Sequence, residues 1–127
     1  MTRPDARLPA LLLSLLWIFA APLTADELSA MQEGEGSFYS DSLHGNKTAS
    51  GATYDKNAMT AAHHDLAFGT VVVVTYLKTG NSVEVTINDR IPKKTKRLID
   101  VSGAAAKKLG MIEDGVGPAT VEVLSTP

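Results

Sequence analysis

The chain contains no cysteine. Small exported domains often lean on disulfides, so any fold here must rest on its apolar core. The same absence removes the thiol that a bacterial lipoprotein needs for its lipid anchor. Aromatic residues make up only 6% of the chain, which leaves few flat faces for stacking on a ligand. Neither sign of charge dominates: 14 acidic side chains stand against 12 basic ones, for a net charge of −2. A general nucleic-acid binder needs an excess of Lys and Arg to neutralise phosphate, so nucleic acid is not an expected partner. Glycine-rich phosphate loops are missing too, since Gly115-Val116-Gly117-Pro118 is a turn that opens no helix. His44, His63 and His64 lack a metal-ligand spacing with carboxylates, and no Ser-His-Asp or Cys-His arrangement stands out. Neither a metal nor a cofactor is expected.

What is present begins with Arg3 and Arg7, an apolar run from Leu8 to about Ala21, and Leu23-Thr24-Ala25 ahead of Asp26-Glu27. A charged start, a short apolar middle and a small residue before a polar stretch form the three parts of a secretory signal peptide. The run falls short of the about 20 residues that a bilayer span needs. The expected organisation is a signal peptide over 1–25, a flexible polar lead over 26–35 and one domain over 36–125. The exported product is expected to be a soluble monomer, periplasmic or secreted, without a stable membrane anchor and not a lipoprotein.

Within the domain, Gly36 to Ser40 suggests a first strand, and the Gly-, Ser-, Thr- and Asn-rich stretch His44 to Asp55 an exposed loop. Asn57 to His63 suggests a helical turn. Thr70 to Leu77 is β-branched almost throughout, as a buried strand should be. After the turn Lys78-Thr79-Gly80-Asn81, Ser82 to Asn88 alternates with Val83, Val85 and Ile87 on one face. The two runs read as a β-hairpin. Arg97 to Val101 is a short strand, and Ser102 is placed to cap a helix over Gly103 to Leu109 that Gly110 ends. Gly117 to Leu124 alternates again and supplies a last strand. Five or six short strands with one marked helix point to a small closed β-barrel, because closure removes exposed edges.

Polar residues collect at the ends of these segments, where chemistry on a small β scaffold usually sits. Asp89 follows a strand whose alternation puts Val85 and Ile87 in the core, so parity aims it inward at the barrel's end. There it is either a partly desolvated general acid–base group or a turn Asp that bonds backbone amides or pairs with Arg90. Asp100 precedes Ser102 and the helix, so it either serves that helix N-terminus or forms a carboxylate pair with Asp89 across a groove. His63 and His64 are adjacent and must point different ways. Thr48, Ser50 and Tyr54 are hydroxyl donors suited to a sugar and equally ordinary in a turn. Lys93, Lys94, Lys96 and Arg97 form a basic loop beside Asp89, either a solvated turn or a contact for an anionic polymer.

Residues 36–124 resemble the RlpA-like double-psi β-barrel proteins, the rare lipoprotein A family of bacterial envelopes. The resemblance is carried by Gly36-x-Phe38-Tyr39, His44-Gly45-x-Lys47-Thr48-Ala49-x-Gly51, Tyr54-Asp55, Ala58-Met59-Thr60-Ala61-Ala62-His63 and Phe68-Gly69-Thr70. It continues through Asn88-Asp89-Arg90-x-Pro92, Ile99-Asp100-Val101-Ser102 and Leu109-Gly110. It implies a mainly β fold, a six-stranded double-psi β-barrel with one or two short helices and a groove across it. It also implies an endolytic lytic transglycosylase that cleaves peptidoglycan glycan strands, naked ones by preference, to 1,6-anhydro ends. Asp89, His63 and Asp100 would be its catalytic residues, and Thr48, Tyr54, Asp55 and Arg90 its substrate-binding ones. The family's Glu after Ala-x-Gly is Ala52 here. That departure keeps two other readings open: a non-catalytic, expansin-like glycan-binding module, and a secreted protease inhibitor of the double-psi type.

Overall fold

The computed structural model describes residues 31–127; the expected signal peptide over 1–25 lies outside the described residues. Strands β1 (Met31–Phe38), β2 (Thr60–His63), β3 (Val71–Tyr76), β4 (Ser82–Arg90), β5 (Ile99–Val101) and β6 (Val116–Ser125) are joined by a short 3-10 turn at Asp41–Leu43 and by helix α1 (Gly103–Leu109). The strands close in the order β1-β5-β2-β4-β3-β6, with β6 returning to pair with β1. The β1/β5 and β2/β4 pairs are parallel and the other four pairings are antiparallel. This is the six-stranded closed barrel that the resemblance implied.

The hairpin forms where the β-branched runs predict it. Val72 pairs with Val85 and Val74 with Val83, and Gly80 turns the chain at φ +78°, a conformation that costs glycine little. Val72, Val74, Tyr76, Val85 and Ile87 point inward and are buried. Ile99 and Val101 from β5 and Val121 from β6 complete the barrel's centre. Helix α1 covers one end with Ala105, Ala106 and Leu109. As expected, Ser102 caps it, accepting the Ala105 N–H at 3.3 Å, and Gly110 ends it in the left-handed region. The same Ser102 hydroxyl donates to the Ala58 carbonyl at 2.6 Å, which ties the helix start to the chain entering β2.

Two local expectations are corrected. Residues 31–35, expected in a flexible lead, are the first part of β1, where Met31–Ser37 pair antiparallel with Glu122–Val116. Their side chains are mostly exposed, so the segment has no apolar alternation to reveal it. Its strand state comes from main-chain pairing that closes the barrel. Thr60–His63, expected in a helical turn, is the strand β2 between β4 and β5. Alanine favours helices in isolation, but here Ala61 sits in the core, where a small side chain suits the close approach of neighbouring strands.

Candidate functional site

The decisive feature is an irregularity between β2 and β4. Ala61 pairs with Ile87, but Ala62 pairs with Asp89, so Asn88 is an extra residue. Such a bulge breaks the two-residue period of side-chain direction. Parity had aimed Asp89 inward with Val85 and Ile87; the bulge instead turns it to the outer face, beside Ala62. The pairings Ser37↔Asp100, Ala62↔Asp100 and Ala62↔Asp89 then set one row across β1, β5, β2 and β4. Asp89 and Asp100 stand two strand spacings apart in this row, about 10 Å between their backbones. Ala62, with its small side chain, lies between them in the row. Around the row is a groove of about 400 Å³ lined by Ser37, Phe38, Tyr39, Ser40, Leu43, Ala62, Asp89, Arg90, Arg97 and Asp100.

Asp89 is held by hydrogen-bond donors. Its Oδ1 accepts the Ala49 N–H at 2.8 Å and the Arg90 N–H at 2.9 Å, and its Oδ2 accepts the Tyr39 hydroxyl. Tyr39 stacks on Tyr54 at 4.4 Å between ring centroids. Burial first, then the bond to Asp89, pushes the Tyr39 hydroxyl well above the usual phenol range, so it stays protonated and remains a donor. The Asn88 carbonyl, at the extra residue, accepts the Ser50 N–H at 3.3 Å. One irregularity therefore exposes Asp89 and also docks the Lys47–Thr53 loop onto it.

Asp100 is held differently. Arg97 donates from Nε to Oδ1 at 2.8 Å and from Nη2 to Oδ2 at 3.0 Å, a two-pronged pairing of matched shape. The Ser37 hydroxyl adds a bond to Oδ1 at 2.5 Å. The bond to Asp100 raises the Arg97 guanidinium further above its ordinary range. Asp100 does not serve the start of α1, which Ser102 caps. Nor does it touch Asp89; the two carboxylates line one groove with separate partners.

The other expected site residues separate into two groups. Arg90 lines the groove, its guanidinium lying 4.1 Å over the Phe68 ring. His63 is not among the lining residues and is only 2% exposed. Its Nδ1 accepts the Asp65 N–H at 3.2 Å and the Leu66 N–H at 3.3 Å. The ring proton therefore belongs on Nε2, which donates to Gln32 Oε1 at 2.8 Å. Burial lowers its pKa and keeps the ring neutral. Its backbone carbonyl accepts the Ile91 N–H at 3.3 Å, which secures the end of β4.

Thr48 is buried and closes its own loop, donating to the Ala52 carbonyl at 2.8 Å. Tyr54 is buried behind Tyr39, its hydroxyl accepting the Gly103 N–H at 3.0 Å. Asp55 accepts the Asn57 N–H at 2.8 Å in a local turn. None of these three lines the groove. Ala52 is exposed in the docked loop.

Sequence reading missed Tyr39, Ser37 and Arg97 as site residues. Arg97 had a signal, since a cation three residues before Asp100 is a common pairing distance. Tyr39 stood in the Gly36-x-Phe38-Tyr39 motif, but its role was hidden because its partner lies 50 residues away along the chain. Among the described residues, no three His, Asp or Glu side chains gather as a metal site would require.

Comparison with known proteins agrees with this geometry. A family model described as "Lytic transglycolase" matches residues 31–121. The probable endolytic peptidoglycan transglycosylase RlpA of Treponema pallidum is 45% identical over 108 residues, covering 85% of this chain and 34% of that protein. The endolytic peptidoglycan transglycosylase RlpA of Neisseria meningitidis serogroup A is 47% identical over 91 residues, covering 72% of this chain and 38% of that protein. The chain thus spans about a third of the length of these curated relatives. Among solved structures, the Streptomyces papain inhibitor superposes with a TM-score of 0.61 at 24% identity, over 75% of this chain and 94% of that one, a likeness of fold. With the match running from the start of β1 into β6, the chain belongs to the lytic transglycolase family of RlpA-like double-psi β-barrels.

Proposed function

We propose that this protein is an exported enzyme of the cell envelope that cleaves the glycan strands of peptidoglycan by lytic transglycosylation. The observation that carries this reading is Asp89, turned by the bulge into an open groove and oriented there by three donors. In the proposed reaction the Asp89 carboxyl gives its proton to the glycosidic oxygen, and the C1–O bond breaks. The 6-hydroxyl of the same sugar attacks C1, and its proton returns to the Asp89 carboxylate. Protons balance, no water is consumed, and a 1,6-anhydro end forms. Asp100, neutralised by Arg97, shapes the far end of the groove rather than moving a proton. His63 supports the end of β2 and the start of the following turn. The enzyme acts as a monomer, after removal of residues 1–25, in the periplasm or outside the cell.

A second reading has one observation in its favour. The exposed Ala52 supplies no acid to the loop docked on Asp89, which favours a groove that binds glycan without cleaving it. Incubating the protein with intact and amidase-stripped peptidoglycan, then searching the soluble products by mass spectrometry, decides between them. Anhydro-ended fragments from the wild type and none from Asp89→Asn are expected. Protein that sediments with the glycan yet releases nothing would leave only the binding module.

A further inference from the structure

Two arginines line the groove, and only one has a carboxylate partner. Both prongs of Arg97 are spent on Asp100. Arg90 makes one side-chain hydrogen bond, a long one of 3.4 Å from Nη1 to the Asp89 carbonyl. Among the described residues no carboxylate forms an ion pair with it. The neighbouring Asp89 does not neutralise it either, because both Asp89 oxygens are directed at Tyr39 and at backbone N–H groups. Instead the guanidinium carbon sits 4.1 Å over the centre of the Phe68 ring, a large apolar side chain left 37% exposed. A cation seated over a ring in this way is held in place while its N–H groups stay free to bond elsewhere. The exposed Lys93, Lys94 and Lys96 follow directly along the chain and add positive charge to this part of the surface.

A fixed, unpaired guanidinium edge is complementary to a carboxylate, which it grips through two parallel hydrogen bonds. The glycan of peptidoglycan carries one such group on every second sugar, a lactyl ether. Its carboxylate is free where no peptide is attached and is an amide where one is. We propose that Arg90, seated over Phe68, is the specificity-determining residue that reads the free lactyl carboxylate of the sugar beside Asp89. An amide at that position offers one acceptor and no charge, and loses the paired bonds. This inference rests on the peptidoglycan reading above. It deepens that reading by naming the substrate group and the side chain that selects it.

The test measures binding, not turnover, in the Asp89→Asn background so that no strand is cut. The probes are three soluble oligosaccharides of equal length: peptide-free peptidoglycan glycan, the same glycan with its lactyl carboxylates converted to methylamides, and chitin oligomers that lack the lactyl group. Calorimetry should show the free-carboxylate form binding about tenfold tighter than the other two, the scale of a charge-assisted pair of hydrogen bonds. Arg90→Gln should erase that tenfold preference, costing the free-carboxylate form much more affinity than the methylamide. Arg90→Lys should keep only part of it, since an ammonium lacks the fork, and Phe68→Leu should reduce it by freeing the guanidinium. The ligand comparison needs no Arg90 variant, so a variant that fails to fold does not blunt it. Equal binding of all three probes, or an equal loss of all three in Arg90→Gln, overturns the arginine's role and leaves the glycan reading standing. Binding of none overturns both.

Discussion

At one end of the groove Asp89 receives a phenol and two backbone amides; at the other Asp100 receives a guanidinium and a serine hydroxyl. Both are aspartates on the outer face of the same row, yet one is surrounded by neutral donors and the other by a fixed positive charge. A carboxylate gripped by Arg on both oxygens has its charge matched within the protein. A carboxylate oriented by neutral donors keeps its charge unmatched within the protein. The proposed function accordingly puts proton transfer at the Asp89 end and wall-building at the Asp100 end.

The sharpest way to break this contrast is to remove one carboxylate at a time. Asp89→Asn should lower the yield of anhydro products at least about 100-fold, the scale of a lost general acid. Its melting curve should move little, because Asn still accepts both amides and its NH₂ can donate to the Tyr39 hydroxyl. Comparable turnover in the two proteins would remove Asp89 from the chemistry.

Asp100→Asn and Arg97→Gln should show the reverse pattern. Each breaks the same partly buried pair, so each should cost about 1–2 kcal/mol in urea unfolding, with a smaller fall in activity than Asp89→Asn. The double variant should cost about as much as either alone. Fully additive losses would mean that the two side chains act separately.

Tyr39→Phe refines the Asp89 end. Losing one hydrogen bond of about 1 kcal/mol should reduce turnover about fivefold, while stacking on Tyr54 persists. An unaltered pH–rate profile would make Tyr39 merely a wall of the groove.

The smallest effect concerns His63, away from either carboxylate. Its folded pKa lies below its ordinary value because burial disfavours the charged ring. The unfolded chain therefore takes up a proton first as the pH falls. The contribution is fully present above about pH 6.5 and is lost as pH drops below that value towards the folded pKa. Urea midpoints measured at pH 7.5 and 5.5 should fall for the wild type and fall less for His63→Gln. Identical slopes would show that the buried ring does not govern acid stability.

Where interactions are local, the sequence anticipates the structure closely. The β3–β4 hairpin is visible because its two strands are adjacent in the chain and both carry an apolar period. Helix α1 is visible because Ser102 and Gly110 supply caps within a few residues of what they cap. The start of β1 is hidden because its strand state depends on pairing with β6, almost the whole domain away. Strand β2 is hidden because alanines report helix propensity in isolation, while their place in the barrel depends on neighbours from β4 and β5.

The sequence by itself determined which residues could do chemistry, the alternating faces of the hairpin, the capped helix and membership of the family. Tertiary structure decided what those residues do. One extra residue at Asn88, recognisable only against β2, reversed the direction of Asp89 and brought it into a row with Asp100. Side-chain direction along a strand has a period of two, so a single-residue shift in register changes the face. That register is a property of two strands together, and neither strand's sequence contains it alone.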